Sequence, residues 1–426
     1  MGVARIPSDA RDRLGDTLGG FGSGIALQPG TWHVTAKGFE GRLAALPDPG
    51  WGASDYRARL QYFDLTLIPQ LGHPGTQTGL SLHYRDTLLL KDIGGRATTG
   101  LDPAGSRPPS LGMPVLPQGP NGHVSLDGEA VSFAPGGDFW AGDEYGPYIY
   151  HFSPAGRMIG AIRPPESIVP LRAGAVNFSA GKGEPQSGRQ NNQGFEGVSL
   201  VPGGNRLFAM TQSAVLQDLD PKNIKGTRRN VRLLEYELGA APRLIHEYVV
   251  QLPLYGDSGK PSIAAQSEML ALNEHQLLLL CRDSKAGFTT RRDASAYRVI
   301  SLIETRGASD IRGRWDGRGA AAAPMGLLRP DITPARLTPV LNMNDNSELG
   351  RFGLHNGPPN DASDLYEKWE GMALAPARRR GEFYLFVASD NDFTTQHGVM
   401  ASKPYADASG VNVDTLVLVY RVTLPP

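Results

Sequence analysis

Four stretches of this chain open in the same way, with a glutamate just ahead of an apolar run. They are Glu129 in "GEAVSFAPGGDFWAGDE", Glu196 in "FEGVSLVPGGNRLFAMTQ", Glu268 in "SEMLALNEHQLLLLCRD" and Glu370 in "WEGMALAPARRRGEFYLFVASDND". Each reads as a short strand, a turn rich in Gly, Pro or Asn, and a second apolar strand. Further strands follow: "PYIYHF" and "RMIGAI" after the first, "RLLEYEL" and "RLIHEYVVQL" after the second, "YRVISLIE" after the third, "TLVLVYRV" after the fourth. A weaker copy opens the chain, "GSGIALQPGTWHVTAKG", with "YFDLTLI" and "TLLLKDI" behind it. Recurring four-stranded antiparallel units are the blades of a β-propeller. The pattern therefore predicts an all-β chain of five or six blades, with the tract 305–365 as the place for a sixth. The last copy shows three strands, so Val3–Ile6 is expected to complete it and pair the N- and C-terminal strands. Uneven spacing excludes a regular repeat such as WD40. A β-sandwich, the rival, gives no reason for one residue type to return at one place in every copy.

Composition agrees with short strands and many turns: Gly (53) and Pro (34) are about a fifth of the 426 residues. We read residues 1–426 as one domain, with long inter-blade loops at 101–122, 163–193, 254–266 and 305–365. Loops of that length are usually functional or disordered. Within the last, "NDASDLYEKW" is expected to form a short helix capped by Asn360 or Ser363. A formal net charge of −1 gives no global field for nucleic acid or an anionic membrane. No apolar run reaches a membrane span. The single cysteine, Cys281, allows no intrachain disulfide and falls in a buried strand pattern. Low cysteine content suits the cytoplasm and suits an exported protein equally. The start "MGVARIPSDARDRLGD" has no apolar signal core, so an exported form would carry its signal elsewhere. A monomer is expected.

The entrance glutamates acquire partners when the hairpins are closed. An antiparallel hairpin sets the start of its first strand beside the end of its second. At those second-strand ends stand Asp143-Glu144, Thr211-Gln212, Arg282-Asp283 and Asp390-Asn391-Asp392. The weak first copy offers Ser23 or Gly24 at the entrance and Lys37 at the far end. Inner strands line a propeller's central channel, so several blades would aim carboxylates at one rim. Such a crowd requires either protonation or a cation. An oxygen-only donor set favours Ca²⁺, ahead of Mg²⁺ or Mn²⁺. The nine His are scattered and do not support zinc. The metal candidates are Glu129, Glu144, Glu196, Glu268, Asp283, Glu370 and Asp390. A plainer reading also stands: each Glu could simply accept main-chain N–H bonds or pair with Arg282. For Trp140, Phe208, Phe383 and Phe386, packing between blades is the expectation. His355 and His397 are read as loop residues and weaker acid–base candidates.

The stretches "DEYGPYIYHFSPAGR", "NQGFEGVSL", "SEMLAL…LLLLCRD" and "KWEGMAL…FVASDNDF" resemble the esterase-like phytase-domain family, from about Gly20 to Val422. The resemblance implies a β-propeller, often secreted or periplasmic, and hydrolysis of phosphate esters with Ca²⁺. The acidic positions that match the family are Glu129, Asp143, Glu144, Glu196, Glu268, Asp283, Glu370, Asp390 and Asp392. One departure stands out: Cys281-Arg282-Asp283 occupies a place where the family usually reads Glu-Arg-Asp.

Three functions follow as expectations. The first is a metal-dependent hydrolase of small-molecule phosphate esters. In it Glu196 or Glu370 takes a proton, and Lys37 and Arg282 balance phosphoryl charge. The second is a lactonase or carboxylesterase on the same metal funnel. The third is a non-catalytic propeller that binds a ligand or protein.

Overall fold

In a computed structural model the alternation resolves into five antiparallel sheets, four of four strands and one with the short strand His33–Val34 added to its four, arranged as a five-bladed β-propeller. The structure describes residues 1–50, 54–70, 76–181, 183–257, 259–284, 286–290, 292 and 294–424. Blade I is Gly24–Leu27, Phe39–Leu46, Arg59–Leu67 and Leu80–Leu89. Blade II is Gly128–Phe133, Phe139–Asp143, Ile149–Phe152 and Met158–Ile162. Blade III is Phe195–Leu200, Arg206–Thr211, Asn230–Glu237 and Arg243–Gln251. Blade IV is Ala265–Ala271, Gln276–Arg282, Arg298–Glu304 and Arg336–Asn342. Blade V takes Lys368–Pro376, Glu382–Asp390 and Thr415–Thr423 from the end of the chain and Gly2–Ile6 from its start.

The tract 305–365 makes no sixth blade. It supplies the outer strand of blade IV, Arg336–Asn342, which pairs with Arg298–Glu304. The helix expected over 360–369 does not form. Asp361 Oδ1 accepts the Ser363 N–H at 2.7 Å, and His355 and Asp364 share a bridge, so the segment turns back along its neighbour. A short helix lies instead at Asn346–Leu349, where Asp345 caps the Ser347 N–H.

Each first strand touches the first strands of the two neighbouring blades, in the ring I–II–III–IV–V–I. Close approach at the axis needs small residues. A Cβ on Gly197 would lie 2.9 Å from the Cβ of Met269, and one on Gly371 would lie 2.7 Å from the Gly22 carbonyl oxygen. The hydrophobic core is correspondingly divided into five wedges, one between each pair of consecutive blades. Phe208 and Met210 of blade III, for example, pack with Met269 and Leu279 of blade IV. Phe21, Phe63, Phe386 and Val419 fill the wedge between blades V and I. Cys281 lies in the III–IV wedge, where burial pushes its thiol well above the usual range. It is an inert packing group.

The terminal strand Gly2–Ile6 is part of this scheme. It pairs with Thr415–Thr423 from Gly2↔Val419 to Ile6↔Thr415, and buries Ala4 and Ile6 in the V–I wedge. Ile6→Ala is therefore expected to lower stability by about 2 kcal/mol in urea titration. A change below about 0.5 kcal/mol, the size of a surface effect, would show the strand to be a loosely held edge.

Candidate functional site

Strand register puts the inner-strand starts and the second-strand ends at one face of the ring. Gly128 pairs with Asp143, Phe195 with Thr211, Ala265 with Arg282, Lys368 with Asp390 and Gly24 with Leu46. In blades II to V the ladder slips by one residue beside the start, whereas in blade I it runs without a slip. In blades II, III and V the residue left unpaired is the entrance glutamate itself: Glu129, Glu196 and Glu370. A bulge bends its strand and re-aims the extra side chain. That is why a chain can set a carboxylate where burial begins: the residue stands outside the ladder.

Blade IV is the exception. There the unpaired residue is Ser267, and Glu268 pairs normally with Leu280. Its Oε1 accepts its neighbour's N–H, from Met269, at 2.7 Å, and its carboxyl also bonds the Met372 amide across the IV–V boundary. Burial pushes it well above the ordinary carboxyl range. The structure thus keeps Glu268 out of the axial group. Asp283 also turns away, accepting from Ser295 Oγ at 2.6 Å and from the Ala296 N–H at 2.8 Å.

Lys37 requires a correction. The second strand of blade I is Phe39–Leu46, not the preceding "WHVTAKG". Lys37 is an exposed residue in the turn before that strand, roughly eight residues or ~25 Å of strand from the axial end. The residue just past the axial end is Asp48, which the sequence reading missed. Asp127, immediately before blade II, and Lys368, at the start of blade V, were also missed.

These additions complete a buried cluster. Oxygens of Asp48, Asp127 and Glu129 lie within 4.8 Å of one another, and so do oxygens of Glu129, Glu144 and Glu196. Glu129 joins the two triplets. Asn192 Nδ2 donates to Glu144 Oε2 at 2.6 Å, and Gln212 Nε2 donates to Glu196 Oε2 at 2.9 Å. Among the described residues, nothing donates to either oxygen of Asp127 or to Glu144 Oε1, and all three are buried. The Asn192 side-chain oxygen is likewise buried and unpaired. Uncompensated buried carboxylate oxygens cost several kcal/mol. Clustered carboxylates with an adjacent amide oxygen are the donor set of a hard divalent cation. The residues present fit such an ion.

On blades IV and V the axis carries ion pairs. Lys368 Nζ lies 2.6 Å from Asp392 Oδ1 and 4.0 Å from Asp390 Oδ2. Arg282 Nη2 donates to Glu370 Oε1, and its Nη1 stands 4.0 Å from Glu367. The Arg282 Nε is buried with no acceptor among the described residues. Asp390 accepts from Ser23 Oγ at 3.0 Å and from the Asp392 N–H at 2.7 Å. His355 and His397 take no part: His355 bonds the Gly357 carbonyl, and His397 is exposed.

Protonation follows this division. Burial, then the neighbouring acids, push Asp127, Glu129 and Glu144 well above the ordinary range. Burial together with the Glu370 charge brings Glu196 up to about 8. Burial lifts Asp143 to about 7, against main-chain N–H bonds from Asp127, Tyr145 and Gly146. Burial would raise Glu370 too, but Lys368 and Arg282 outweigh it and hold Glu370 below its usual value. Lys368 is desolvated, yet Glu370, Asp392 and Asp390 keep it charged far above its usual value.

A five-bladed propeller with a buried, two-sided acid–base centre on its axis is the class these features define. A sequence profile of the Phytase-like family, described as "Esterase-like activity of phytase", matches residues 17–393. The chain belongs to that family. An uncharacterized secreted protein of Arthroderma benhamiae is 38% identical to it, over 94% of this chain and 88% of that protein. Among solved structures, the Malassezia sympodialis allergen Mala s 1 is similar at a TM-score of 0.34. Its identity is 12%, covering 96% of this chain and 80% of that one. A B. megaterium levansucrase variant is similar at a TM-score of 0.38. Its identity is 10%, covering 98% and 86%.

The raised carboxyls set a pH dependence. A carboxyl whose pKa is higher in the folded chain than in the unfolded one stabilises most when both states are protonated. That advantage is lost as pH climbs through the folded value. With chelator present, the unfolding temperature is therefore expected to fall between pH 5 and 9, by on the order of 5 °C. Glu129→Gln should flatten the fall. A profile that is level or rises over this range would contradict the assigned protonation.

Proposed function

We propose that the chain is a hydrolase of phosphate monoesters that works with Ca²⁺ at the axial centre. Asp48, Asp127, Glu129 and Glu144 hold the ion, with the Asn192 side-chain oxygen beside them. When bound, such an ion polarises an ester oxygen and acidifies water. The single observation that carries the reading is the division of the axis. Two carboxylate triplets share Glu129, and two cations, the half-buried Lys368 and the buried Arg282, stand in ion pairs contributed by blades IV and V.

The chain's own groups have separable tasks. Glu196, near 8 and steadied by Gln212, is the general base. It takes a proton from the attacking water, whose oxygen forms the new bond to phosphorus. Arg282 is fixed by Glu370 and presents its remaining guanidinium N–H groups to a non-bridging phosphoryl oxygen. Lys368 stays protonated and faces the departing alcohol oxygen. The bond from phosphorus to that oxygen breaks, and the alkoxide gains the proton that Glu196 took, returned through solvent. Glu370 is a positioning residue, held ionised between the two cations.

Two further statements belong to this reading. The secreted relative supports an extracytoplasmic location. Among the described residues no helix is long and apolar enough to cross a membrane.

Calorimetric titration with Ca²⁺ should give saturable binding, lost in the double variant Asp127→Asn/Glu129→Gln. With the ion present, Glu196→Gln should lower kcat for a phosphate monoester by about 10²-fold or more with KM little changed. Arg282→Ala should chiefly raise KM. Turnover of lactones but not phosphate esters would move the assignment to a lactonase. Ca²⁺ binding with no turnover of either would leave a binding propeller.

A further inference from the structure

The axial centre accounts for the reacting group of a substrate but not for the rest of it. A cavity of 460 Å³ opens beside the centre, between the loops that precede and follow the first two strands of blade V. Its size is in the range of small-molecule sites, but its lining is unusual for one. Five side chains present hydroxyls: Thr289, Thr290, Tyr366, Thr394 and Ser409. Three present carboxylates: Glu367, Asp392 and Asp407. Among the described residues the lining has no aliphatic side chain and no Lys or Arg.

The cavity joins the axial centre through one ion pair. Asp392 is a wall residue, and its Oδ1 receives Lys368 Nζ at 2.6 Å. Its other oxygen accepts from the wall residue Tyr366 at 3.3 Å. On the far side Lys368 feels the charges of Glu370 and Asp48. Glu367 likewise stands between the cavity and Arg282. An ester whose phosphoryl group sits among the axial residues would therefore place its alcohol in this cavity, with Lys368 at the junction.

The lining restricts what that alcohol can be. Carboxylates are acceptors only, while hydroxyls both donate and accept. Thr290 and Tyr366 have partners within the wall, in the Gly287 carbonyl and Asp392, and the remaining hydroxyls and carboxylates give up water to any guest, a loss that a hydroxyl-rich alcohol replaces and an apolar one does not. Additional phosphates on the alcohol would meet the carboxylates of Asp407, Glu367 and Asp392, while the neighbouring cations Arg282 and Lys368 are already engaged by Glu370 and Asp392, an unfavourable like-charge contact. We propose that the cavity takes a neutral, hydroxyl-rich alcohol, a sugar or polyol, so that the substrate is a polyol monophosphate and not a polyphosphorylated ring. This rests on the hydrolase reading for the chemistry, but the cavity's preference for polyols can be measured without turnover.

Two measurements on the full chain with Ca²⁺ test it. First, kcat/KM is compared for glycerol phosphate and glucose 6-phosphate, for phenyl phosphate, and for inositol hexakisphosphate. The hydroxyl-rich monoesters should exceed phenyl phosphate at least tenfold, with the hexakisphosphate last. Thr289→Val/Ser409→Ala should bring the ratio of glucose 6-phosphate to phenyl phosphate towards one. Second, saturation-transfer NMR with free glucose and myo-inositol should show binding to the wild type and loss of it in the double variant. Preference for phenyl phosphate or the hexakisphosphate would overturn the cavity assignment while leaving the hydrolase standing. Polyol binding with no ester turned over would keep the cavity and remove the hydrolase. Neither polyol binding nor the expected selectivity would remove the proposal outright.

Discussion

Seven carboxyl groups — Asp48, Asp127, Glu129, Glu144, Glu196, Glu370 and Asp390 — are buried together at one end of the axis, with Lys368 and Arg282 as the cations among them. Two like charges 4 Å apart at an effective dielectric of 20 repel by about 4 kcal/mol. A freely adjusting loop would relieve that strain by opening. Here each acid is carried by a strand or a strand end, and five separate hydrophobic wedges hold the strands in a closed ring. The cluster cannot spread without parting blades. The chain is left with protonation or a divalent guest as ways to neutralise it.

The device that builds the cluster is one residue long. A bulge at the start of an inner strand takes a glutamate out of the ladder and turns it to the axis. Moving the same bulge back by one residue, as blade IV does at Ser267, returns its glutamate to the ladder and to main-chain amides. Identical sequence spacing therefore leads to two outcomes. By pairing, Ser267 holds the place in its hairpin that Glu196 holds in blade III, and Glu268 falls one residue further along.

That distinction explains what could be read from residues alone. Hairpin periodicity carried the blades and the common end at which Glu129, Glu196 and Glu370 meet, because each is a local property of about twenty residues. Register slips are not local in that sense, so Glu268 and Asp283 could not be told from the others. Asp48 was hidden by a strand choice: "WHVTAKG" alternates like a strand, while "FEGRLAAL" carries four axis-end residues that are all buried. Asp127 precedes its strand and belongs to no hairpin pair. Lys368 lay in a stretch with helical composition, "NDASDLYEKW", which tertiary pairing of Lys368 with Asp390 draws into blade V. A search for acids on both flanks of each inner strand, rather than at the entrance alone, would have found Asp127.

Five blades of one design would naturally give five equal positions around the axis, and a symmetric ring of acids would bind a cation from all sides. This chain breaks the equivalence twice. Blade IV withdraws its glutamate, and blades IV and V contribute Arg282 and Lys368 in its place. Arg282 and Lys368 pair there with Glu370 and Asp392, while the close triplets of acids belong to blades I to III. An asymmetric axis holds clustered acids and ion pairs a short distance apart, the arrangement that the proposed hydrolysis would use. The departure of Glu268 from the common pattern is one source of that asymmetry.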